Sequence, residues 1–204
     1  GSRPREFAGI PFDHKRIVSS DSILSLKKFP KRILIVGAGI IGCEYATIFS
    51  NFGQSEVFLL DHAEGILPFE DNDISDYIDG NLKKNGVKIL HTASLRETRE
   101  FSEHIEALVD FKDGHSKVIE VDVVLVCIGR VPNTDKLNLE NVNIILNNRG
   151  ALIGEDKVKI SENIYAAGDV TDSPNLVNVG EMQGRFSIKT MFDVKAREAP
   201  IYDG

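Results

Sequence analysis

The run from Lys31 to Glu44, Lys-Arg-Ile-Leu-Ile-Val-Gly-Ala-Gly-Ile-Ile-Gly-Cys-Glu, constrains the fold more than any other part of the chain. Arg32 to Val36 is an apolar stretch of strand length, and the glycines at 37, 39 and 42 follow it in G-x-G-x-x-G spacing before a helical pattern begins. Each glycine has its own expected reason. Gly37 allows a tight turn, Gly39 leaves no Cβ between the backbone and a phosphate, and Gly42 lets the helix lie close on the strand. A second strand, Glu56 to Leu60, ends in Asp61, 19 residues after Gly42, where a carboxylate can hydrogen-bond a ribose. The pattern therefore predicts a βαβ unit that holds a dinucleotide pyrophosphate on a helix N-terminus. The competing reading is that the glycines serve helix-strand packing and Asp61 merely ends a strand.

A carboxylate at 61 disfavours a 2'-phosphate, and no Arg stands among His62, Ala63 and Glu64, so NAD is expected over NADP. Lys and Arg number 24 against 31 Asp and Glu, a net charge of −7 without a long basic run, which argues against nucleic acid as a partner. Cys43 and Cys127 form no C-x-x-C pair and read as small buried hydrophobes in a reducing, cytoplasmic setting. The five histidines show no metal-ligand spacing, so no metal site is expected. Neither a leader nor an apolar run of about 18 residues is evident, so a soluble chain without a membrane partner is expected. The first methionine is Met182, which marks the chain as a fragment, a processed product or a tagged piece.

Residues 1–20 read as a linker or terminal strand, and Ser20-Asp21 opens a short capped helix closed by Phe29-Pro30. After Gly39 the predicted helix sets Ile41, Tyr45, Ile48, Phe49 and Phe52 along one face and ends at Gly53. A second helix follows Asp71, with Ile74, Ile78 and Leu82 as its core stripe, and leads to a strand at Val87 to Leu90. The period then becomes two: Ile105, Ala107, Val109 and Phe111 alternate with polar residues, and Asp113-Gly114 turns the chain, so a β-meander replaces a helical crossover. Val121 to Ile128 reads as a parallel strand buried on both faces, stopping at Gly129-Arg130. Arg130 lies at the C-terminal end of that strand, where α/β sheets bind ligands, although a surface salt bridge is its bland alternative. A loosened composition near Asn147 to Ala151 suggests a boundary, followed by a short strand ending in Gly168-Asp169 and a helix from about Asn178 to Phe192.

The fingerprint with Asp61, Gly129-Arg130-Val131-Pro132-Asn133-Thr134 and Ile164-Tyr165-Ala166-Ala167-Gly168-Asp169 together resemble the flavin-dependent pyridine nucleotide disulfide oxidoreductases. Gly1-Ser2-Arg3-Pro4 resembles the family's T-G-S-x-P segment, where the chain leaves the first FAD part, which favours Gly1-Ser2 as native residues over a tag remnant. Within the family, Ser22-Ile-Leu-Ser-Leu26, Gly42-Cys-Glu-Tyr-Ala46, Ile48-Phe-Ser50 and Asn133-Thr-Asp-Lys-Leu137 are most similar to the soluble pyridine nucleotide transhydrogenases. Dihydrolipoamide dehydrogenases share the overall plan and stand next. The family's FAD fingerprint, redox cysteine pair and C-terminal dimer domain are absent from these residues.

The resemblance implies an α/β chain in three parts. These are residues 1–20 as the end of a first FAD segment, 21–148 as a Rossmann-like NAD-binding domain with a β-meander crossover, and 149–204 as an incomplete second FAD segment. It implies NAD, with NADP as a further possibility, and FAD as cofactors, and a parent enzyme passing hydride between nicotinamide and flavin. Two alternatives stay open: a dihydrolipoamide dehydrogenase-like disulfide reductase, and an isolated chain that binds NAD but is catalytically silent. The parent would dimerise through the absent C-terminal domain, and this chain would contact the rest of the flavoprotein. Residue by residue, Gly37, Gly39, Ile40, Ile41, Gly42, Asp61 and His62 would meet the nicotinamide dinucleotide. His62 would partly compensate for the missing arginine if both nucleotides are accepted. Glu44 would support catalysis by pairing with a lysine of the flavin region; otherwise it is a charge near a helix N-terminus, worth about 0.3 to 1 kcal/mol. Gly129 and Arg130 would lie against dinucleotide or flavin, Gly168 and Asp169 against the flavin's ribityl chain, and Leu176 and Val177 at a helix N-terminus facing its pyrimidine end.

Overall fold

The structure is a computed structural model that describes residues 1–154 and 156–192. The last part of the expected 149–204 segment, 193–204, lies outside the described residues. In chain order, β1 (Ser2–Pro4) and β2 (Ile17–Ser19) precede a 3-10 turn, Ile23–Ser25. Strands and helices then alternate as β3 (Arg32–Val36), α1 (Ile40–Phe52), β4 (Glu56–Leu60), α2 (Asn72–Lys84) and β5 (Lys88–Leu90). Strands β6 (Ala93–Glu100), β7 (Ile105–Phe111), β8 (Ser116–Val121) and β9 (Val123–Val126) run consecutively. They are followed by β10 (Arg130–Pro132), a 3-10 turn at Leu139–Val142, β11 (Lys159–Ser161), β12 (Ile164–Tyr165) and α3 (Val177–Met191). Two compact units result, Pro4–Gly129 and a second made of Gly1–Arg3 with Arg130–Gly204. The contacts divide the chain at Gly129/Arg130, ahead of the change in composition near Asn147.

In the first unit the sheet order is β2-β9-β3-β4-β5, and every neighbouring pair is parallel. Strand β3 explains why its sequence is an unbroken apolar run. Ile33 and Ile35 enter a core shared with Cys43, Ala46 and Phe49 of α1 and Leu82 of α2. Leu34 and Val36 enter another, shared with Leu95, Ile105, Ala107 and Val109 of the meander. Both faces of the sheet are covered, so alternation between polar and apolar residues disappears. Each such side chain, fully buried, contributes about 1.5 to 3 kcal/mol. The antiparallel meander β6-β7-β8 is the expected crossover, with Ile105, Ala107 and Val109 buried and Phe111 packed at the margin.

Several local expectations are corrected. The buried face of α1 is Gly42, Cys43, Ala46 and Phe49, while Ile48 and Phe52 are 44% and 61% exposed. Small residues let the helix approach the sheet with Phe49 buried beside them, and Ile48 and Phe52 stand outside. In α2 Leu82 is buried and Ile78 packs against the core, but Ile74 is 52% exposed. The run Val121 to Ile128 is interrupted by Asp122, whose carboxylate accepts the N–H groups of Lys31 and Arg32 at 2.7 and 2.9 Å. The β9 strand therefore begins at Val123. The segment after Ser20-Asp21 is a single 3-10 turn without a side-chain cap. Of the two readings of residues 1–20, a linker or a terminal strand, residues 17–19 follow the second and form an edge strand of the main sheet.

In the second unit β1 pairs with β10 and β11 pairs antiparallel with β12. Leu152 bridges both Leu146 and Thr171. The helix α3 is anchored by a buried glutamine. Gln183 Oε1 accepts the Gly168 N–H at 2.7 Å, while its Nε2 donates to Ser173 Oγ at 2.8 Å and Thr171 Oγ1 at 3.3 Å.

Candidate nucleotide site

Helix α1 links β3 to its neighbour β4 on one side, and β9 pairs with β3 on the other, so the strand order reverses between β3 and β9. Crevices of this kind, at the carboxyl ends of parallel strands, are where such sheets hold ligands. The glycine turn sits there. The Gly37 N–H donates to the Leu60 carbonyl at 2.7 Å and the Cys127 N–H to the Val36 carbonyl at 2.7 Å, so the turn is tied to the ends of β4 and β9.

The three glycines have different physical reasons. Gly37 adopts φ +102°, and a Cβ there would come within 2.4 Å of the Cys127 carbonyl oxygen. A Cβ at Gly42 would meet the Gly37 carbonyl oxygen at 1.9 Å. Both are demanded by the fold itself. Gly39 is different: it has an ordinary extended backbone, φ −76° and ψ −172°, and a Cβ would meet nothing within 4 Å. Nothing inside this unit requires glycine at 39, and the space in front of it is open. Gly39 is also the N-cap of α1 and carries no side-chain cap, so N–H groups of the helix's first turn are left for another acceptor.

Asp61 has a role its spacing did not reveal. It is 8% exposed, and Oδ2 accepts the Ala38 N–H at 2.6 Å while Oδ1 accepts the Ala63 N–H at 2.9 Å. The carboxylate braces the glycine turn. Each oxygen retains a second lone pair, so a further donor can still be accepted. His62 is exposed, with Nδ1 3.1 Å from Asp61 Oδ1. Ile40 is 60% exposed and Glu44, one turn on, is exposed, whereas Ile41 is half-buried. Cys43 lies beneath the turn with its thiol directed at the Ala38 carbonyl (3.4 Å). Burial, with the nearby Asp61 and Asp79 carboxylates adding to it, pushes this thiol up to about 12, and burial alone does the same for Cys127. Both sulfurs remain protonated and unreactive near neutrality.

In the second unit three distant segments converge. Ser2 Oγ donates to Asp169 Oδ2 at 2.7 Å and accepts from Arg130 Nε at 2.7 Å, and an Arg130 terminal nitrogen donates to the Ser2 carbonyl at 2.9 Å. Arg130 and Asp169 are thus joined through Ser2, whose part neither motif announces. Close by in sequence, Gly168 adopts φ +78°, and a Cβ on Gly180 of α3 would approach the Gly168 Cα to 3.2 Å. Leu176 is the uncapped N-cap of α3, and Leu176 and Val177 are 54% and 92% exposed. Gly129, at φ +108°, is exposed and closes the first unit. The sequence-selected residues therefore form two groups: Gly37, Gly39, Ile40, Ile41, Gly42, Glu44, Asp61, His62 and Gly129 in one unit, and Arg130, Gly168, Asp169, Leu176 and Val177 in the other. Gln183, Thr171 and Ser2 were missed. A polar residue inside an otherwise packed helix was the one available signal, for Gln183. Among the described residues, His104, Glu106 and Glu120 bring ligand atoms within 4.8 Å of one another across the meander, a cluster that linear spacing cannot reveal.

Fold and turn geometry define an α/β protein of Rossmann-like architecture. Residues 1–184 match the pyridine nucleotide-disulphide oxidoreductase family, and the chain belongs to it. It is 41% identical over 199 residues to a soluble pyridine nucleotide transhydrogenase of Marinomonas sp. (strain MWYL1), covering 97% of this chain and 42% of that protein. It is 44% identical over 186 residues to the soluble pyridine nucleotide transhydrogenase of Ectopseudomonas mendocina (strain ymp), covering 91% and 39%. The chain thus spans less than half the length of these curated relatives. Among solved structures it is similar to LpdA of Mycobacterium tuberculosis, with TM-score 0.86, 28% identity and coverage of 99% and 43%. It is also similar to the HOCl-induced flavoprotein disulfide reductase RclA of Escherichia coli, with TM-score 0.84, 29% identity and coverage of 98% and 45%. Among the described residues no helix is long and apolar enough to cross a membrane.

Proposed function

We propose that this chain is the nicotinamide-binding part, with a flavin-binding segment, of an FAD-dependent oxidoreductase that moves hydride between NAD(P)H and flavin. The observation that carries it is Gly39: the fold does not need a glycine there, and open space lies before an uncapped helix N-terminus. Pyrophosphate oxygens would accept the N–H groups of the first turn of α1, which the helix dipole favours. The free lone pairs of Asp61, with His62 beside it, would receive ribose hydroxyls, and the same charge would repel a 2'-phosphate, which supports NAD over NADP. Ile40 would supply an apolar surface for the nicotinamide, and Glu44 would meet a cation of the parent chain. The flavin, when bound, supplies N5 as the hydride's other terminus. On this side Arg130 and Asp169, held in register by Ser2, would contact the flavin's chain, with Gly129 and Gly168 allowing close approach. The exposed start of α3 at Leu176 and Val177 would face the negative charge that grows on reduction.

The similarity to transhydrogenases at 41% and 44% identity favours exchange between NAD and NADP pools in the parent protein. A second reading, a disulfide reductase, is favoured by the fold similarity to RclA. A redox cysteine pair in the parent would decide for the latter. We further read the unit Pro4–Gly129 as nicotinamide-binding and Gly1–Arg3 with the segment from Arg130 onward as flavin-binding, in a cytoplasmic parent that dimerises elsewhere, with this chain alone catalytically silent. Hydrogen exchange with and without NADH tests the central assignment. Slowed exchange confined to the peptides containing residues 37–44 and 61–63 is expected, and an unchanged profile would refute it.

A further inference from the structure

The unit Pro4–Gly129 carries two exposed surfaces of opposite charge. The first is a groove of about 350 Å3 between the Ile23–Ser25 turn, the Leu26 to Pro30 segment and the outer face of α1. Phe29 forms its wall, edge-on to Phe49 and Phe52 at 5.2 and 5.3 Å. Lys27 and Lys28 stand exposed on the rim, and among the described residues neither has an ion-pair partner. This groove is where the apolar residues expected in the core of α1 came to lie.

The second surface is the approach to α2. Phe69 is 97% exposed and Tyr77 73%, within the acidic run Glu70, Asp71, Asp73 and Asp76, all of them exposed. Its support is firm. Ile66 is buried, the Leu67 N–H donates to the Ala38 carbonyl at 2.8 Å, and Ser75 Oγ donates to the Leu67 carbonyl at 3.2 Å. A side chain held out on an anchored segment loses little freedom on binding, so its burial is realised more fully as affinity. Exposed aromatics of this kind, ringed by charge, mark contact surfaces.

We propose that this chain associates head to tail with a second copy, the Phe69 to Tyr77 segment of one seated in the Lys27/Lys28 groove of the next. The aromatic fills an apolar groove of ligand-pocket size, and the acidic run meets the lysine pair. Because two different surfaces meet, the contact either closes, as a reciprocal two-fold pair or a larger ring, or extends as an open chain. The proposal is independent of the nucleotide reading.

Sedimentation velocity on the 204-residue chain tests it. At low ionic strength the mean mass is expected to rise with concentration up to about 1 mM, and less so in high salt. Lys27→Glu with Lys28→Glu, and separately Glu70→Lys with Asp71→Lys, are each expected to weaken association about tenfold or more through like-charge contact. An equimolar mixture of the two variants restores attraction in both contacts and should recover association, which also excludes misfolding as the cause. Phe69→Ser should weaken association without changing its salt dependence. A chain that stays monomeric throughout, association unaffected by these substitutions, or a mixture that fails to recover overturns the proposal.

Discussion

Replacing Gly39 and Gly42 by alanine separates what the fold needs from what a ligand needs. At Gly42 alanine gains about 1 kcal/mol of helix propensity. Against that, its Cβ would lie 1.9 Å from the Gly37 carbonyl oxygen, a backbone atom that cannot swing aside. Overpacking costs about 1 to 3 kcal/mol even where side chains can yield, so the upper end applies and Gly42→Ala should lose about 2 kcal/mol net. At Gly39 the backbone angles suit any residue and the Cβ meets nothing. Alanine is a poorer N-cap than glycine by up to about 1 kcal/mol, but it reduces unfolded-chain entropy by about 0.4 to 1 kcal/mol. Gly39→Ala should therefore stay within about 1 kcal/mol of the parent by urea denaturation and yet lose NADH affinity about tenfold or more by calorimetry. Undiminished NADH binding by Gly39→Ala would show that no ligand group approaches residue 39, and a destabilisation matching that of Gly42→Ala would show that the fold itself needs glycine there.

Two further outcomes follow from the geometry. Gln183→Leu leaves the Gly168 N–H without its acceptor and removes the donor to Ser173 and Thr171, so the midpoint of unfolding should fall by the equivalent of about 2 kcal/mol or more; an unchanged midpoint would show that these bonds are dispensable. Cys43 and Cys127 should resist a thiol reagent at pH 8 until the chain is unfolded. Both folded thiols titrate near 12 against an ordinary value of 9.0, so the unfolded state loses its protons first. Stability is then intact below about pH 9 and falls between about pH 9 and 12, by up to about 1.4 kcal/mol per pH unit for each thiol. Rapid labelling of the native chain would contradict the burial argument.

The βαβ core was legible because its signals are local: an apolar run, glycines at fixed offsets and an acid at the end of the next strand. The face of α1 was only partly legible: Phe49 is buried as its spacing suggests, but counting large apolar residues also favours Ile48 and Phe52, whereas a helix lying close on a sheet buries Gly42, Cys43 and Ala46. Strand β2 carries almost no pattern in three residues, and only its register with β9 makes it a strand. Asp61 stood out as a ligand candidate, but its bonds to Ala38 and Ala63 depend on how the turn folds back over β4. For the same reason an Asp61 substitution perturbs the turn as well as any ribose contact. The Ser2 link between Arg130 and Asp169 joins residues 128 and 167 positions apart, beyond the reach of any periodicity.

Calorimetric titration of the chain with NADH and, in parallel, NADPH decides whether the glycine turn and Asp61 hold a nicotinamide dinucleotide. One NADH bound per chain is expected, and NADPH weaker by about tenfold or more, since a 2'-phosphate would face Asp61. Binding of neither nucleotide would contradict the assignment of the glycine turn, and tighter binding of NADPH would contradict the role given to Asp61.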